Sequence, residues 1–167
     1  MTAEARRAAI LDTLAHAQQP VSATTLAKAL GVSRQVIVGD VALLRAGGAA
    51  IAAPPRGYAT QGDTGGIRCQ LACRHTAGDM ERELLIMVDN GCTVLDVVVE
   101  HPVYGQLTGA LQLKSRYDVQ QFIARSATAQ PLSLLTEGIH LHTLSCPSQA
   151  AAQRVREALG QAGFLLK

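Results

Sequence analysis

The chain contains no tryptophan, only three tyrosines and two phenylalanines, and no apolar run near the roughly 20 residues a membrane helix requires. A helical membrane-spanning protein is thereby excluded. The N-terminus, Met1-Thr2-Ala3-Glu4-Ala5-Arg6-Arg7, leads into an amphipathic segment and lacks the apolar core of a signal peptide, so a cytoplasmic protein is expected. Four cysteines (Cys69, Cys73, Cys92, Cys146) form no C-x-x-C pair, and the closest two stand four apart. That is neither zinc-ribbon nor thioredoxin spacing, and reduced, mostly buried thiols in the core are expected. Charge is also scarce: 17% of residues carry one, below the usual quarter or so, and the net is +2. No internal repeat or low-complexity tract is present, and an apolar share of 48% excludes disorder.

What the chain does have is an uneven distribution of that charge. Its 167 residues allow one medium domain or two small ones. Residues 1–60 hold Arg6, Arg7, Lys28, Arg34, Arg45 and Arg56 against Glu4, Asp12 and Asp40, a net of +3. Residues 61–167 hold nine basic and ten acidic residues, a net of −1. The stretch Gln61-Gly62-Asp63-Thr64-Gly65-Gly66 has the composition of a linker. A basic head at 1–60 and a slightly acidic body at 67–167 are expected.

In the head, Ala8, Ile10, Leu11, Leu14 and Ala15 lie on a helical stripe closed by Pro20. Ser22 is placed to cap a second helix carrying Leu26, Ala27 and Leu30; Gly31-Val32 makes a tight turn; Ser33 caps a third helix through Ala46, with Val36, Ile37, Val41, Leu43 and Leu44 as its stripe. Two helices locked by a Gly-containing turn are a helix-turn-helix, whose second helix presents its first turn to the major groove. Arg34 and Gln35 sit in that turn with chemistry suited to guanine and adenine, and Ser33 suits a phosphate. Ala49–Ala53 and Tyr58–Thr60, around Pro54-Pro55-Arg56-Gly57, predict a wing with Arg56 at its tip. Lys28 and Arg45 are phosphate contacts or solvated charges. Gly39 inside the third helix costs about 1 kcal/mol relative to Ala, and no packing need for it is visible in the sequence.

In the body, Ile67, Cys69, Leu71, Cys73 and His75 share one face of a strand. A helix from about Asp79 to Asn90 follows, then strands ending at His101 and Leu113, a helix over Arg116–Ala127, a strand over Ile139–Ser145 and a helix over Ser148–Ala162. The order β-α-β-β-α-β-α is a split βαβ pattern, an α+β open-faced sandwich with expected spatial order 4-1-3-2. In it strand one runs antiparallel to strand four, so His75, His140, His142 and the end of strand two at His101 converge on one rim, while His16 on the first helix stays apart. With Glu83 one turn into the first body helix, His75, Glu83, His140 and His142 form a ligand set for Zn, Ni, Fe or Mn. Simple alternation sets Ile139 and Leu141, not the two histidines, toward the helices. Either Leu144 and Cys146 mark the core face, or a bulge intervenes.

Ser33-Arg34-Gln35-Val36-Ile37, Pro55-Arg56-Gly57-Tyr58, His75, His101-Pro102-Val103-Tyr104-Gly105 and His140-Leu141-His142 together resemble the three-histidine (3H) domain regulators, niacin-responsive transcriptional repressors of bacteria. The resemblance spans nearly the whole chain. It implies a winged helix-turn-helix followed by a 3H domain, homodimers on operator DNA of niacin-uptake or NAD-synthesis genes, nicotinate as corepressor, and one divalent transition metal per chain (Ni, Zn or Fe) on His75, Glu83, His140 and His142. It further suggests His101 and Tyr104 on an effector pocket wall and Arg116 as partner of the effector carboxylate. A metal sensor without organic effector, and a metal-dependent enzyme, are the rival readings.

Overall fold

The computed structural model describes residues 1–60, 66–127 and 138–166. Of the expected linker, residues 61–65 lie outside the described residues. The chain divides into two compact units, Met1–Gly62 and Asp63–Lys167.

The first unit is three helices and a small hairpin: α1 (Ala3–His16), α2 (Ala23–Leu30), α3 (Arg34–Ala46), β1 (Ile51–Ala52) and β2 (Ala59–Thr60). Serines start both helices of the helix-turn-helix. Ser22 Oγ accepts the Thr25 N–H at 3.0 Å and Ser33 Oγ accepts the Val36 N–H at 3.3 Å. Between them Gly31 ends α2 at φ +65°, a conformation that costs glycine no Cβ clash, and the Val32 N–H returns to Ala27 O. Ile10, Leu14, Leu26, Ile37 and Val41 form the core. The apolar stripe expected on α3 is narrower than its sequence suggests. Val36 and Leu43 are exposed, and Asp40 is buried in the stripe. Arg6 from α1 donates to it through Nε at 2.5 Å and Nη2 at 3.3 Å, with Arg7 at 3.5 Å.

The second unit runs β3 (Ile67–Arg74), a 3-10 turn (Ala77–Asp79), α4 (Met80–Asp89), β4 (Thr93–His101), β5 (Gly105–Leu113), α5 (Arg116–Ser126), β6 (Ile139–Cys146) and α6 (Gln149–Gln161). The element order is the expected one, but the spatial order is not. The sheet reads β3-β6-β4-β5 with every neighbouring pair antiparallel, so the last strand lies inside the sheet rather than at its edge. The outer edge of β3 is taken by the segment after α6: the Arg74 N–H donates to Phe164 O and the Leu166 N–H to Ala72 O. Strict alternation also fails on β4, where a bulge between Val94 and Asp96 shifts the register. Leu71, Leu84, Met87, Val94, Leu144, Val155 and Leu159 pack between sheet and helices. Among the described residues no helix is long and apolar enough to cross a membrane.

Candidate metal centre and nucleic-acid interface

On β6 His140, His142, Leu144 and Cys146 are buried at alternate positions, with Ser145 buried between the last two, so Leu144 and Cys146 do mark the core face and the histidines share it. His140 stands opposite Cys73 on β3, and His142 stands between Leu71 on β3 and Val97 on β4. His75 follows the end of β3. All three rings turn their Nε2 atoms toward one carboxylate, Glu83 in the first turn of α4, which is 0% exposed. His75 Nε2 lies 2.6 Å from Oε2, His140 Nε2 lies 2.9 Å from Oε2 and 3.1 Å from Oε1, and His142 Nε2 lies 2.7 Å from Oε1. The three rings stack edge-on in a row, with centroids 4.8 Å apart at each step.

The opposite ring nitrogens fix the chemistry. The Nδ1–H of His75 donates to Thr76 O at 2.7 Å, that of His140 to Gly138 O at 2.8 Å, and that of His142 to Asp96 O at 2.9 Å. A backbone carbonyl only accepts, so each Nδ1 carries a proton and each neutral ring offers a lone pair at Nε2. Three lone pairs and a carboxylate facing one another repel unless protons or a cation lie among them. Three imidazolium rings on one carboxylate would bury a charge of about +2; a divalent cation with three neutral rings leaves about +1 and has every donor satisfied. His75 Nε2 further shows the mismatch: despite its short contact with Glu83, it makes no hydrogen bond of proper geometry and is buried. Burial alone would raise the Glu83 carboxyl; the three imidazoles, when protonated at Nε2, outweigh it and hold the group far below the usual range. Burial lowers His75, and the nearby Glu83 carboxylate reverses this to a net rise. The donor set fits a divalent transition metal, with outer partners orienting each ring as such ligands require.

Residues that the sequence reading left out support this cluster. Ligand atoms of Cys73, Glu83 and His140 lie within 4.8 Å of one another. Burial raises the Cys73 thiol, and Glu83 raises it further, so it stays protonated as a donor to the carboxylate. Asp96 occupies the β4 bulge: its carbonyl orients His142, and its Oδ1 accepts the Thr143 N–H at 3.1 Å. An aspartate within the apolar run Thr93-Val94-Leu95-Asp96-Val97 was the available signal. Gly138, at φ +88°, brings its backbone so close that a Cβ would collide with the His75 carbonyl. One glycine therefore accepts from His140 and packs on His75.

The fourth histidine expected at the rim does not join the cluster. His101 instead caps its own hairpin, with Nδ1 accepting the N–H groups of Val103 at 3.1 Å and Tyr104 at 3.2 Å, and Tyr104 lies over its ring at 5.0 Å. It stands three residues beyond Val98, the partner of Leu141, and so at the same end of the sheet. Arg116 is not an open cation: Nε and Nη2 donate to Asp89 at 2.7 and 2.6 Å, at the opposite end of α4 from Glu83. His16 pairs within its own helix, with Nδ1–H donating to Asp12 O at 2.9 Å.

In the first unit, Ser33, Arg34 and Gln35 open α3 on an exposed face, and Lys28 is exposed on α2. Arg56 at the hairpin tip donates to Gln19 Oε1 at 3.2 Å. Arg45 is exposed, and its Nε donates to Ile51 O at 2.9 Å while its guanidinium lies 5.8 Å from the Tyr58 ring centre, contacts that hold the hairpin.

A serine-capped helix-turn-helix with a hairpin, ahead of a body with a buried three-histidine cluster, is the build of a DNA-binding regulator. Comparison with known proteins agrees. Residues 68–167 match the family model of the 3H domain, and residues 6–59 match that of an HTH domain. The chain is 40% identical over 164 residues to the "Probable transcription repressor NiaR" of Thermotoga maritima, covering 97% of this chain and 94% of that protein. It is 42% identical over 168 residues to the "Transcription repressor NadR" of Bacillus subtilis, covering 97% and 93%. The chain belongs to the 3H-domain family of helix-turn-helix transcription repressors, and it is not an enzyme.

Proposed function

We propose that this repressor holds one divalent transition metal (Ni, Zn or Fe) on His75, Glu83, His140 and His142, takes nicotinate as corepressor, and binds operators of niacin-uptake or NAD-synthesis genes as a homodimer. The observation that carries the reading is the set of three Nε2 lone pairs around one buried carboxylate, with all three Nδ1–H groups committed to carbonyls. Nicotinate comes from the motif resemblance. Bound at the cluster, the metal supplies positive charge and open positions for a carboxylate or a pyridine nitrogen. Thr76, Gly138 and Asp96 keep the rings oriented, and Glu83 supplies the one negative charge. The His101–Tyr104 hairpin, at the same end of the sheet, forms the pocket wall, while Arg116 is committed to Asp89. In the first unit, Arg34 and Gln35 read bases and Ser33, Lys28 and Arg56 meet phosphates, with Arg45 holding the hairpin in place.

The test is an anisotropy titration of a duplex footprinted from a promoter this protein protects, with metal-loaded and chelator-treated protein. Nicotinate on metal-loaded protein is expected to tighten binding by about 5–150-fold, the usual range of allosteric coupling. Equal affinity with and without nicotinate refutes the corepressor role; tightening by metal alone makes the protein a metal sensor. Arg34→Ala should weaken the specific duplex far more than a random one, and equal losses on both would end its base-reading role.

A further inference from the structure

Three of the four cysteines meet at the end of β6 away from the histidines. Cys146 closes β6, Cys92 precedes β4, and Cys69 lies on β3. All are free thiols. The Cys92 thiol donates to Cys146 Sγ at 2.7 Å, and Cys69 Sγ lies 3.9 Å from Cys146 Sγ. The first distance is well inside the roughly 4 Å of ordinary non-bonded contact, though longer than the roughly 2.05 Å of a disulfide. The sheet register explains the closeness. Thr93 pairs with Ser145, so the next position sets Cys92 opposite Cys146. Opposed residues in an antiparallel ladder have Cα atoms about 4.5–5.5 Å apart, inside the roughly 4.4–6.8 Å that a disulfide spans. Cys69 pairs with Leu144 and is therefore diagonal to Cys146. A shared thiolate-bound metal is the poorer fit: sulfurs each about 2.3 Å from one tetrahedral ion stand nearly 4 Å apart, too far for the Cys92–Cys146 contact.

We propose that Cys92 and Cys146 form a thiol pair that a low-molecular-weight disulfide, of which oxidised glutathione is an example, converts into an intramolecular disulfide. The Cys146 thiolate attacks one sulfur of the oxidant, forming a mixed disulfide and expelling one thiolate. Cys92 then attacks the Cys146 sulfur and expels the second thiolate. Overall, two protein thiols lose two electrons and two protons, and one small disulfide becomes two small thiols. Cys69, half-exposed beside the buried pair, marks the solvent side of the cluster. The new bond would tie the turn after α4, the helix of Glu83, to the end of β6, the strand of His140 and His142. It would lie about 13 Å along β6 from His142. Burial pushes the Cys146 thiol up to about 12, so the exchange is run in alkaline buffer.

The experiment treats reduced full-length protein with oxidised glutathione in the presence of a chelator, quenches with acid, denatures, alkylates and maps the peptides. Alkylatable thiols should fall from four to two, with a Cys92–Cys146 cross-linked peptide and full recovery on reduction. Cys69→Ser should still form the cross-link, whereas Cys92→Ser should form none. Four thiols remaining reactive in the wild-type chain, or a cross-link that uses Cys69 or Cys73, overturns the proposal. The wild-type map decides even if a serine variant fails to fold.

Discussion

Asp40 in the first unit and Glu83 in the second are carboxylates buried under cationic or potentially cationic neighbours, and they are met by opposite chemistry. In the first unit Asp40 on α3 is met by Arg6 and Arg7 from α1. Guanidinium groups remain charged at every accessible pH, so the pair is complete by itself and fixes α1 against the helix that faces outward. In the second unit Glu83 is met by three imidazoles whose charge is conditional. With Nδ1 protons committed to carbonyls, that cluster is complete only when protons or a cation arrive at Nε2. The two buried carboxylates, one mid-helix and one in a first helical turn, thus have different consequences: one is a finished structural anchor, the other the centre of the metal site proposed above.

The sharpest way to break that contrast is Glu83→Gln. It keeps the shape and removes the sole negative charge among the Nε2 atoms. Loss of an outer partner costs about 10–100-fold in metal affinity, and loss of this ligand should reach at least the upper end of that range. Metal analysis after dialysis should drop from one ion per chain toward none, while hydrogen exchange of peptides from residues 1–60 stays at wild-type level. Retained metal would remove Glu83 from the set.

The corresponding change in the first unit, Asp40→Asn, should leave metal binding untouched. It should lower exchange protection across α1 and α3 by roughly ten-fold, the order expected for a charge-assisted hydrogen bond. The pH dependence has a definite sign. The hydrogen bond from Arg6 holds the Asp40 carboxyl below its ordinary value of 3.8, against burial and with help from the Arg6 and Arg7 charges. The stabilisation is therefore complete above the ordinary value and is lost as pH falls through the lower folded one. Protection of α1 in the wild-type chain should decline at acid pH, and the variant should lack that decline. An identical acid profile in the two proteins would show that Asp40 is not the anchor.

Local signals were legible where one residue decides one contact. The serine caps, the Gly31 turn and the alternation of β3 all follow from side-chain chemistry within four residues. The strand order was not legible, because alternation specifies a face and not a neighbour. β6 lies antiparallel beside β3 and β4 beside β5, as expected; what alternation did not supply is that β4 flanks β6 while the segment after α6, rather than β5, takes the other edge of β3. The bulge at Asp96 flips the parity of β4, and no rule of period two contains it. The histidine cluster was three-quarters readable: His75, His140 and His142 converge as expected, but His101 is held by its own hairpin. Asp40 entered the sequence reading only through the net charge, although it stands three residues after Ile37, in line with the buried stripe.

Gly39 tests the smallest part of the comparison, whether the exposed face of α3 is shaped by folding or by what it touches. A Cβ built there meets nothing within 4 Å, so no packing within the chain requires glycine. Stability alone favours alanine by about 1 kcal/mol, roughly five-fold in the folding equilibrium. Gly39 stands four residues after Gln35, one helical turn further along the face that carries the proposed base readers Arg34 and Gln35. Gly39→Ala should therefore raise exchange protection across α3 by up to about five-fold while weakening the specific duplex, because the added methyl group occupies space into which a groove wall fits. Gains in both stability and affinity would place the DNA elsewhere on the helix. A gain in neither would show that α3 opens by a route that does not pass through Gly39.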